Sequence, residues 1–192
     1  MTSHLSNKKL RNSIVTASQA WSAVYERQKL WREKTGRAEP FEGNEMTEWG
    51  NDHEHIALAA FEDEMDQICK AGNKLFVHEE KPIGASADAW IFYEAYDQWI
   101  PVEIKCPYTQ KIYPEIPERY WFQIQIQCYV SGTVGGWFYV WTPQETHREY
   151  VPYDAKFMDW FIPKAEEFIQ FVKDDVEPPR YSRKPIYNKE II

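Results

Sequence analysis

The chain has few cysteines: only Cys69, Cys106 and Cys128 in 192 residues. Their odd number and wide spacing exclude a disulfide framework, and no Cys-x-x-Cys pair supplies a metal or redox motif. Buried free thiols are the plain expectation. Glycine is also sparse, at 8 residues, which excludes a collagen-like or Gly-rich chain. Apolar runs stay short, as in Ile56-Ala57-Leu58-Ala59-Ala60-Phe61, against the roughly 18–20 residues needed to cross a bilayer. No apolar stretch follows the basic Lys8-Lys9, so the N-terminus does not read as a secretory signal and a cytoplasmic protein is expected. Positive charge is scarce overall, with a formal net charge of −8. Taken as a sum, that argues against nucleic acid, because duplex binding is driven by neutralising phosphates with Lys and Arg.

What is present is a foldable chain. Hydrophobic residues make up 43% and aromatics 16%, enough to bury a core, and the length suits a single domain over 1–192. The charge is unevenly spread. Residues 1–37 carry eight Lys/Arg against Glu26 and Glu33, whereas residues 38–100 carry fifteen Asp/Glu against Lys70, Lys74 and Lys81. A basic N-terminal arm beside an acidic middle reads either as a solvated surface or as a DNA-facing arm next to a metal-binding carboxylate cluster.

The periodicities predict a mixed α/β domain. Thr16-Ala17-Ser18-Gln19 is a hydroxyl cap for a helix carrying Ala20, Val24, Leu30 and Trp31, and Gly36 to Gly43 is a loop. From Asn44 a helical period runs through Trp49, Ala57, Phe61 and Met65 to Cys69, with Gly72-Asn73 as its stop. Leu75–Glu79, Ala89–Tyr93 and Trp99–Lys105 read as strands, the last with Pro101 at a start or edge. Prolines make residues 106–117 a loop before a helix over Tyr120–Val130. Trp137–Trp141 is a strand, Asp154 caps a last helix interrupted or kinked near Pro163, and the tail from about 178 is loosely held.

Chemistry gathers around Val102-Glu103-Ile104-Lys105. A strand's period of two puts Glu103 and Lys105 on one face, and a hairpin would bring Asp88 close to Glu103. Two converging carboxylates form a hard oxygen site of the kind Mg²⁺ or Mn²⁺ occupies. Lys105 beside them can orient a water or neutralise charge on a phosphate. Taken alone, the Glu-x-Lys spacing is better explained by a salt bridge in an ordinary sheet, where alternating charges are common. Glu54 shifts that balance. It lies at the edge of an apolar helical stripe, where an unpaired carboxylate is costly without a cation or hydrogen-bond partner. The adjacent His53 and His55 do not make a zinc motif, because the second His of His-Glu-x-x-His falls at position 57, which is alanine. Gln123 and Gln127, four apart, share a helix face with Tyr120 and read either as phosphate or lysine contacts or as a solvated polar face.

In order along the chain stand Arg11…Thr16-Ala17-Ser18, Trp49-Gly50…Glu54, Ser86-Ala87-Asp88, Glu103-Ile104-Lys105-Cys106-Pro107 and Tyr120…Gln123-x-Gln125. This set resembles the lambda-type phage exonucleases, the YqaJ-like viral recombinase family within the PD-(D/E)xK nuclease superfamily, over roughly residues 10–150. The resemblance implies a restriction-endonuclease-like core, a small mixed central sheet flanked by helices. It implies digestion of linear double-stranded DNA from the 5′ end, releasing mononucleotides and leaving a 3′ single strand. By motif, Asp88, Glu103 and the Ile104 backbone carbonyl would be metal ligands, Glu54 would complete the surroundings of a second ion, and Lys105 would be the catalytic lysine. The metal would be Mg²⁺, with Mn²⁺ as substitute. Gln123 would support Lys105 and the water, while Arg11, Ser18 and Ser86 match a pocket for the 5′-terminal phosphate. A homotrimeric ring, a single-strand annealing protein as partner and a phage or prophage origin in a bacterial cell come with the family. Ala87 departs from the family's usual proline before the aspartate, no tryptophan lies just upstream of Arg11, and the chain is shorter than the best-known member. The alternatives are a sequence-specific or RecB-like nuclease of the same fold, and a catalytically silent DNA-end-binding recombination protein. An iron–sulfur version of the RecB-like reading needs four cysteines, one more than the chain has.

Overall fold

A computed structural model describes residues 9–39, 41–72, 74–181 and 185–187. The first eight residues of the basic arm, Pro40 in the first loop, Asn73 and the rest of the tail lie outside the described residues. The main sheet has five strands in the order β2-β5-β6-β7-β8: Lys70–Ala71, Ala89–Tyr93, Gln98–Lys105, Gly135–Trp141 and Thr146–Pro152. It is mixed, since β6 and β7 run parallel and the other pairs antiparallel. A second sheet joins β1 (Val15–Thr16), β4 (Ile83–Ala85) and β3 (Phe76–Val77), with β1 parallel to β4. The chain passes from the small sheet to the large one through Ser86-Ala87-Asp88.

Beyond the helical residues 9–12, these sheets are flanked among the described residues by α1 (Ala20–Tyr25), α2 (Arg27–Lys34), α3 (Glu45–Met65), α4 (Glu118–Ser131) and α5 (Ala155–Lys173). The central one is α4, which packs on β7, on β4, on α1 and on the 3-10 turn Ala17–Gln19. Its Phe122, Ile124 and Ile126 are fully buried with Phe157, Phe161 and Phe168 of α5 in the main core. A second core lies on the opposite face of the large sheet, where Ala57 and Phe61 of α3 meet Ile91, Ile100, Val102 and Ile104. The alternation along β6 is therefore Val102 and Ile104 toward α3, Glu103 toward α4.

Several elements differ from the sequence expectation, each for a local reason. The helix α3 stops at Met65, not at Gly72, because Asp66 adopts the left-handed conformation (φ 50°) and ends it. The apolar residues beyond belong to the connection into β2, held by the Cys69 amide donating to Glu62 at 2.7 Å. The single first helix is three pieces, a 3-10 turn, α1 and α2, broken at Glu26. β8 is an edge strand with mostly exposed polar residues, so its sequence lacks the alternation that marks β7. Pro163 sits inside α5 without interrupting it, and Lys164 donates its ammonium to the Trp160 carbonyl at that turn. The segment after Pro178 is tied down where it is described. Gln28 donates to the Pro178 carbonyl, and Tyr187 donates to Asp154 at 2.5 Å while stacking on Trp121.

The basic arm is largely neutralised within the fold. Arg27 pairs with Glu167, Lys29 with Glu26, Arg32 with Glu177 and Arg37 with Asp175. Lys34 is different: it is 5% exposed, and its ammonium donates to the Arg11 and Ile14 carbonyls at 2.7 and 2.6 Å. Burial pulls this lysine down from its ordinary 10.5 to about 7, with Glu33 opposing and Arg11 adding to the effect; the two accepting carbonyls favour the ammonium. The unfolded chain then holds a proton that the folded chain releases, so this group's penalty is full below pH 7 and lifts as pH rises toward 10.5. Thiols act oppositely above their ordinary value of 9.0: of the three expected to be buried only Cys128 is, but partial burial still pushes Cys69 and Cys106 up to about 11. The clean window is thus pH 7 to 9. Across it, wild type should gain up to about 2 kcal/mol of unfolding free energy relative to Lys34→Met, measured by denaturant titration at each pH. A pH-independent difference would refute the assignment. Among the described residues no helix is long and apolar enough to cross a membrane.

Candidate active site

The pairing of β5 with β6 sets the register Ala89↔Val102, which puts Asp88 opposite Glu103. The Asp88 amide donates to the Val102 carbonyl at 3.2 Å, and its Oδ2 accepts from the Ile104 amide at 2.7 Å. One carboxylate oxygen is thereby fixed by the backbone of β6.

Glu103 is wholly buried. Its Oε1 accepts from the Lys105 ammonium, and its Oε2 accepts from Gln127 Nε2 at 2.6 Å. The same Gln127 nitrogen donates to the Ser86 carbonyl at 3.0 Å, linking α4, β6 and the crossing segment. Burial and the charge of Asp88 push the Glu103 carboxyl above its usual range, against the pull of Lys105 and Gln127. For Lys105, burial works against the charge, but Glu103 and Asp88 outweigh it and hold the ammonium protonated beyond the ordinary lysine range. Its Nζ also lies 5.1 Å from the centre of the Tyr120 ring, an aromatic face suited to a cation.

Glu54 comes from the other side of the sheet. With Asp88, Ile104, Asn51, His55 and Gly72 it lines an open cleft of about 390 Å³. Burial, then the charge of Asp88, raises the Glu54 carboxyl, while Lys105 opposes. Asp88 is therefore the shared member, felt by Glu54 on the α3 side and by Glu103 on the α4 side. Because the two glutamates approach from opposite faces, no three His, Cys, Asp or Glu side chains form a ready-made metal cluster among the described residues. The donor set is still one of hard oxygens, and carboxylates crowded enough to raise one another suit a divalent cation of the Mg²⁺ type. A larger cavity of about 570 Å³, lined by Arg27, Lys29, Arg32 and Tyr181, shares no residue with this cleft. Chemistry, not size, places the site.

Of the residues expected at a terminal-phosphate pocket, two leave the small sheet together, and the third, Arg11, stands before β1. In the parallel β1–β4 pair Thr16 lies opposite Gly84, so Ser18 and Ser86, each two residues on, leave the small sheet at the same end. Ser18 Oγ is 3.4 Å from Thr16 Oγ1. Arg11 is exposed, in the helical residues 9–12 before β1.

Gln123 stands one turn before Gln127 on the same face and makes no hydrogen bond among the described residues; Gln127 is the glutamine seated on Glu103. The shared i, i+4 face was the sequence signal for it, and burial separates the two, since Gln127 is 1% exposed. His53 stacks on Trp49 with ring centroids 3.8 Å apart and directs Nδ1 to the Trp49 carbonyl, so it serves α3. Gly72 carries no sequence signal as a site residue, yet its amide donates to the Asp88 carbonyl at 3.2 Å. A Cβ there would lie 2.1 Å from the Ala87 carbonyl oxygen and 2.5 Å from the Asp88 carbonyl carbon. Since both are backbone atoms, Gly72→Ala should shift Asp88, lowering activity about tenfold or more and stability by about 1–3 kcal/mol. Normal turnover in Gly72→Ala, read beside its melting curve, would contradict this.

Residues 7–134 match the family model of the YqaJ-like viral recombinase domain. No curated protein is matched by sequence. Among solved structures, the chain is similar to an alkaline exonuclease, LHK-Exo, from Laribacter hongkongensis, at 21% identity over 87% of this chain and 91% of that one, with a TM-score of 0.70. The same enzyme in complex with dAMP gives a TM-score of 0.71 at 20% identity, covering 88% of this chain and 92% of that one. A phage related exonuclease from Haemophilus somnus 129PT is similar at 12% identity, over 84% of this chain and 96% of that one, with a TM-score of 0.65. The fold is thus that of these exonucleases.

Proposed function

Because this chain belongs to the YqaJ-like viral recombinase domain family, we propose that it is a metal-dependent exonuclease digesting linear double-stranded DNA from the 5′ end. It would release 5′-mononucleotides and leave a 3′ single strand for recombination by strand annealing. The observation that carries the reading is the linked set Asp88, Glu103, Lys105 and Gln127, in which a buried carboxylate is held by a lysine and a glutamine beside a backbone-fixed aspartate. An ordinary sheet ion pair would leave neither a wholly buried glutamate nor a second carboxylate acting on the same lysine.

Asp88, Glu103 and the Ile104 carbonyl would hold one Mg²⁺, and Glu54 would complete the surroundings of a second, Mn²⁺ being the natural substitute. Such a cation supplies Lewis-acid stabilisation of charge on the phosphate. The chain's own residues do the rest. Lys105, kept protonated beside Glu103, offers a positive charge and donors to the phosphate oxygens or the attacking water. Gln127 keeps Glu103 in place, and Arg11 with Ser18 and Ser86 would take the 5′-terminal phosphate. A homotrimeric ring and a single-strand annealing protein complete the proposal, with the activity expected in the cytoplasm of a bacterial host.

The test uses linear duplex DNA with a 5′-phosphate or a 5′-hydroxyl, and closed circular duplex, assayed for mononucleotides with Mg²⁺ and with EDTA. Metal-dependent release from linear DNA, faster with 5′-phosphate and absent on circles, is the expected result. Cutting of circles would favour the endonuclease alternative, and end binding without release the silent one.

A further inference from the structure

Most cations of the N-terminal region are spoken for. Arg27, Lys29, Arg32 and Arg37 each meet a carboxylate. Lys9, Arg11 and Lys34 are not: among the described residues none of them has a carboxylate in ion-pair distance, and of the three only Lys34 is buried. A buried ammonium without a counter-ion is costly, and a Met or Leu would fill the same space without that cost. What the lysine does instead is specific. It joins the Arg11 carbonyl, at the end of the helical residues 9–12, to the Ile14 carbonyl, just before β1. The far end of β1 leads to Ser18, at the same end of the β1–β4 pair from which Ser86 leaves β4. One side chain therefore sets how the Arg11 segment is mounted on the strand that presents Ser18. The Arg11 charge is also near enough to disfavour the Lys34 charge, so the two cations share one neighbourhood.

We propose that Lys34 is a positioning residue of the terminal-phosphate pocket, fixing the Arg11 segment through two backbone carbonyls. This rests on the reading of Arg11, Ser18 and Ser86 as the pocket for a 5′-phosphate. A terminal phosphate would engage the Arg11 guanidinium that this mounting holds in place, whereas an end bearing a hydroxyl would not. Lys34 thus acts on the choice between ends, not on the cleavage chemistry at Glu103 and Lys105.

The experiment compares digestion rates of the same linear duplex bearing a 5′-phosphate or a 5′-hydroxyl, for wild type, Lys34→Met, Arg11→Ala and the double variant. The ratio of the two rates is expected to fall about tenfold in Lys34→Met, and the double variant to lose no more than Arg11→Ala alone, as for two residues serving one pocket. A ratio equal to that of wild type in folded Lys34→Met, or losses in the two variants that multiply, would overturn the proposal. Both rates falling in step would do the same, marking Lys34 as merely structural. If Lys34→Met shows no cooperative melting, Lys34→Gln decides, since it removes the charge and keeps an amide donor; its ratio should fall at least threefold, and an unchanged ratio refutes the proposal. Wild type with no preference between ends would remove the pocket reading itself, and Lys34 with it. That outcome differs from failure of the Lys34 proposal alone, in which wild type is selective and Lys34→Met equally so.

Discussion

Lys105→Ala is expected to lower mononucleotide release from linear duplex DNA by about 10³-fold, the scale of losing a preorganised charge at a phosphate-transfer site. The geometry makes this loss hard to rescue. Lys105 is bonded to the fully buried Glu103, and nothing else neutralises that carboxylate except the neutral amide of Gln127. Removing the ammonium both deletes the group facing the phosphate and leaves Glu103 to take up a proton. Breaking one half of a buried pair also destabilises, by about 3–5 kcal/mol, whereas replacing both halves with neutral groups of similar shape is often close to neutral. The pair Lys105→Met with Glu103→Gln should therefore restore much of the melting temperature that Lys105→Ala loses, and none of the activity. A Lys105→Ala enzyme that still turns over within tenfold of wild type, at a temperature where it is folded, would dismiss the catalytic assignment.

The parts of this molecule that the sequence makes legible are those where one physical rule acts alone. β6 is readable because a period of two separates Val102 and Ile104 from Glu103 and Lys105, and the structure shows that separation. Asp88 is readable as Glu103's neighbour because a short antiparallel connection leaves one register. The end of α3 was not, because Asp66 ends the helix by adopting a left-handed conformation for which glycine at position 72 was the more obvious candidate. β1 and β4 are two or three residues long, too short for any periodicity, and of the strand expected over Leu75–Glu79 only Phe76–Val77 forms as β3. The basic arm shows the same limit in charge. Three of its cations are matched by Glu167, Asp175 and Glu177, more than a hundred residues away in sequence, and no local reading could cancel them. What survives among the described residues, Lys9, Arg11 and Lys34, is a smaller set than the arm as a whole.

Gln127→Leu should be the second most damaging substitution at the site, and it separates two glutamines that the sequence treats alike. Gln127 spends one nitrogen on both Glu103 Oε2 and the Ser86 carbonyl, 2.6 and 3.0 Å away. Leucine is close in size but donates nothing, so a buried carboxylate oxygen loses its second partner and a backbone carbonyl loses its donor. Each such orphan costs about 1–3 kcal/mol, more where the group is charged. The Ser86 segment also carries the chain into Asp88, so slack there displaces a proposed metal ligand and a proposed phosphate contact together. A shift of about 1 Å at such a site can cost 10²-fold in rate. Gln123→Leu, one turn earlier with no hydrogen bond to lose among the described residues, should cost less than tenfold in rate and little stability. If instead Gln123→Leu is the crippled variant and Gln127→Leu turns over normally, the working glutamine is the one the family motif points to, and the contact of Gln127 with Glu103 is packing alone. The two outcomes exclude each other because both side chains lie on one face of α4, and only one of them reaches the buried end of β6.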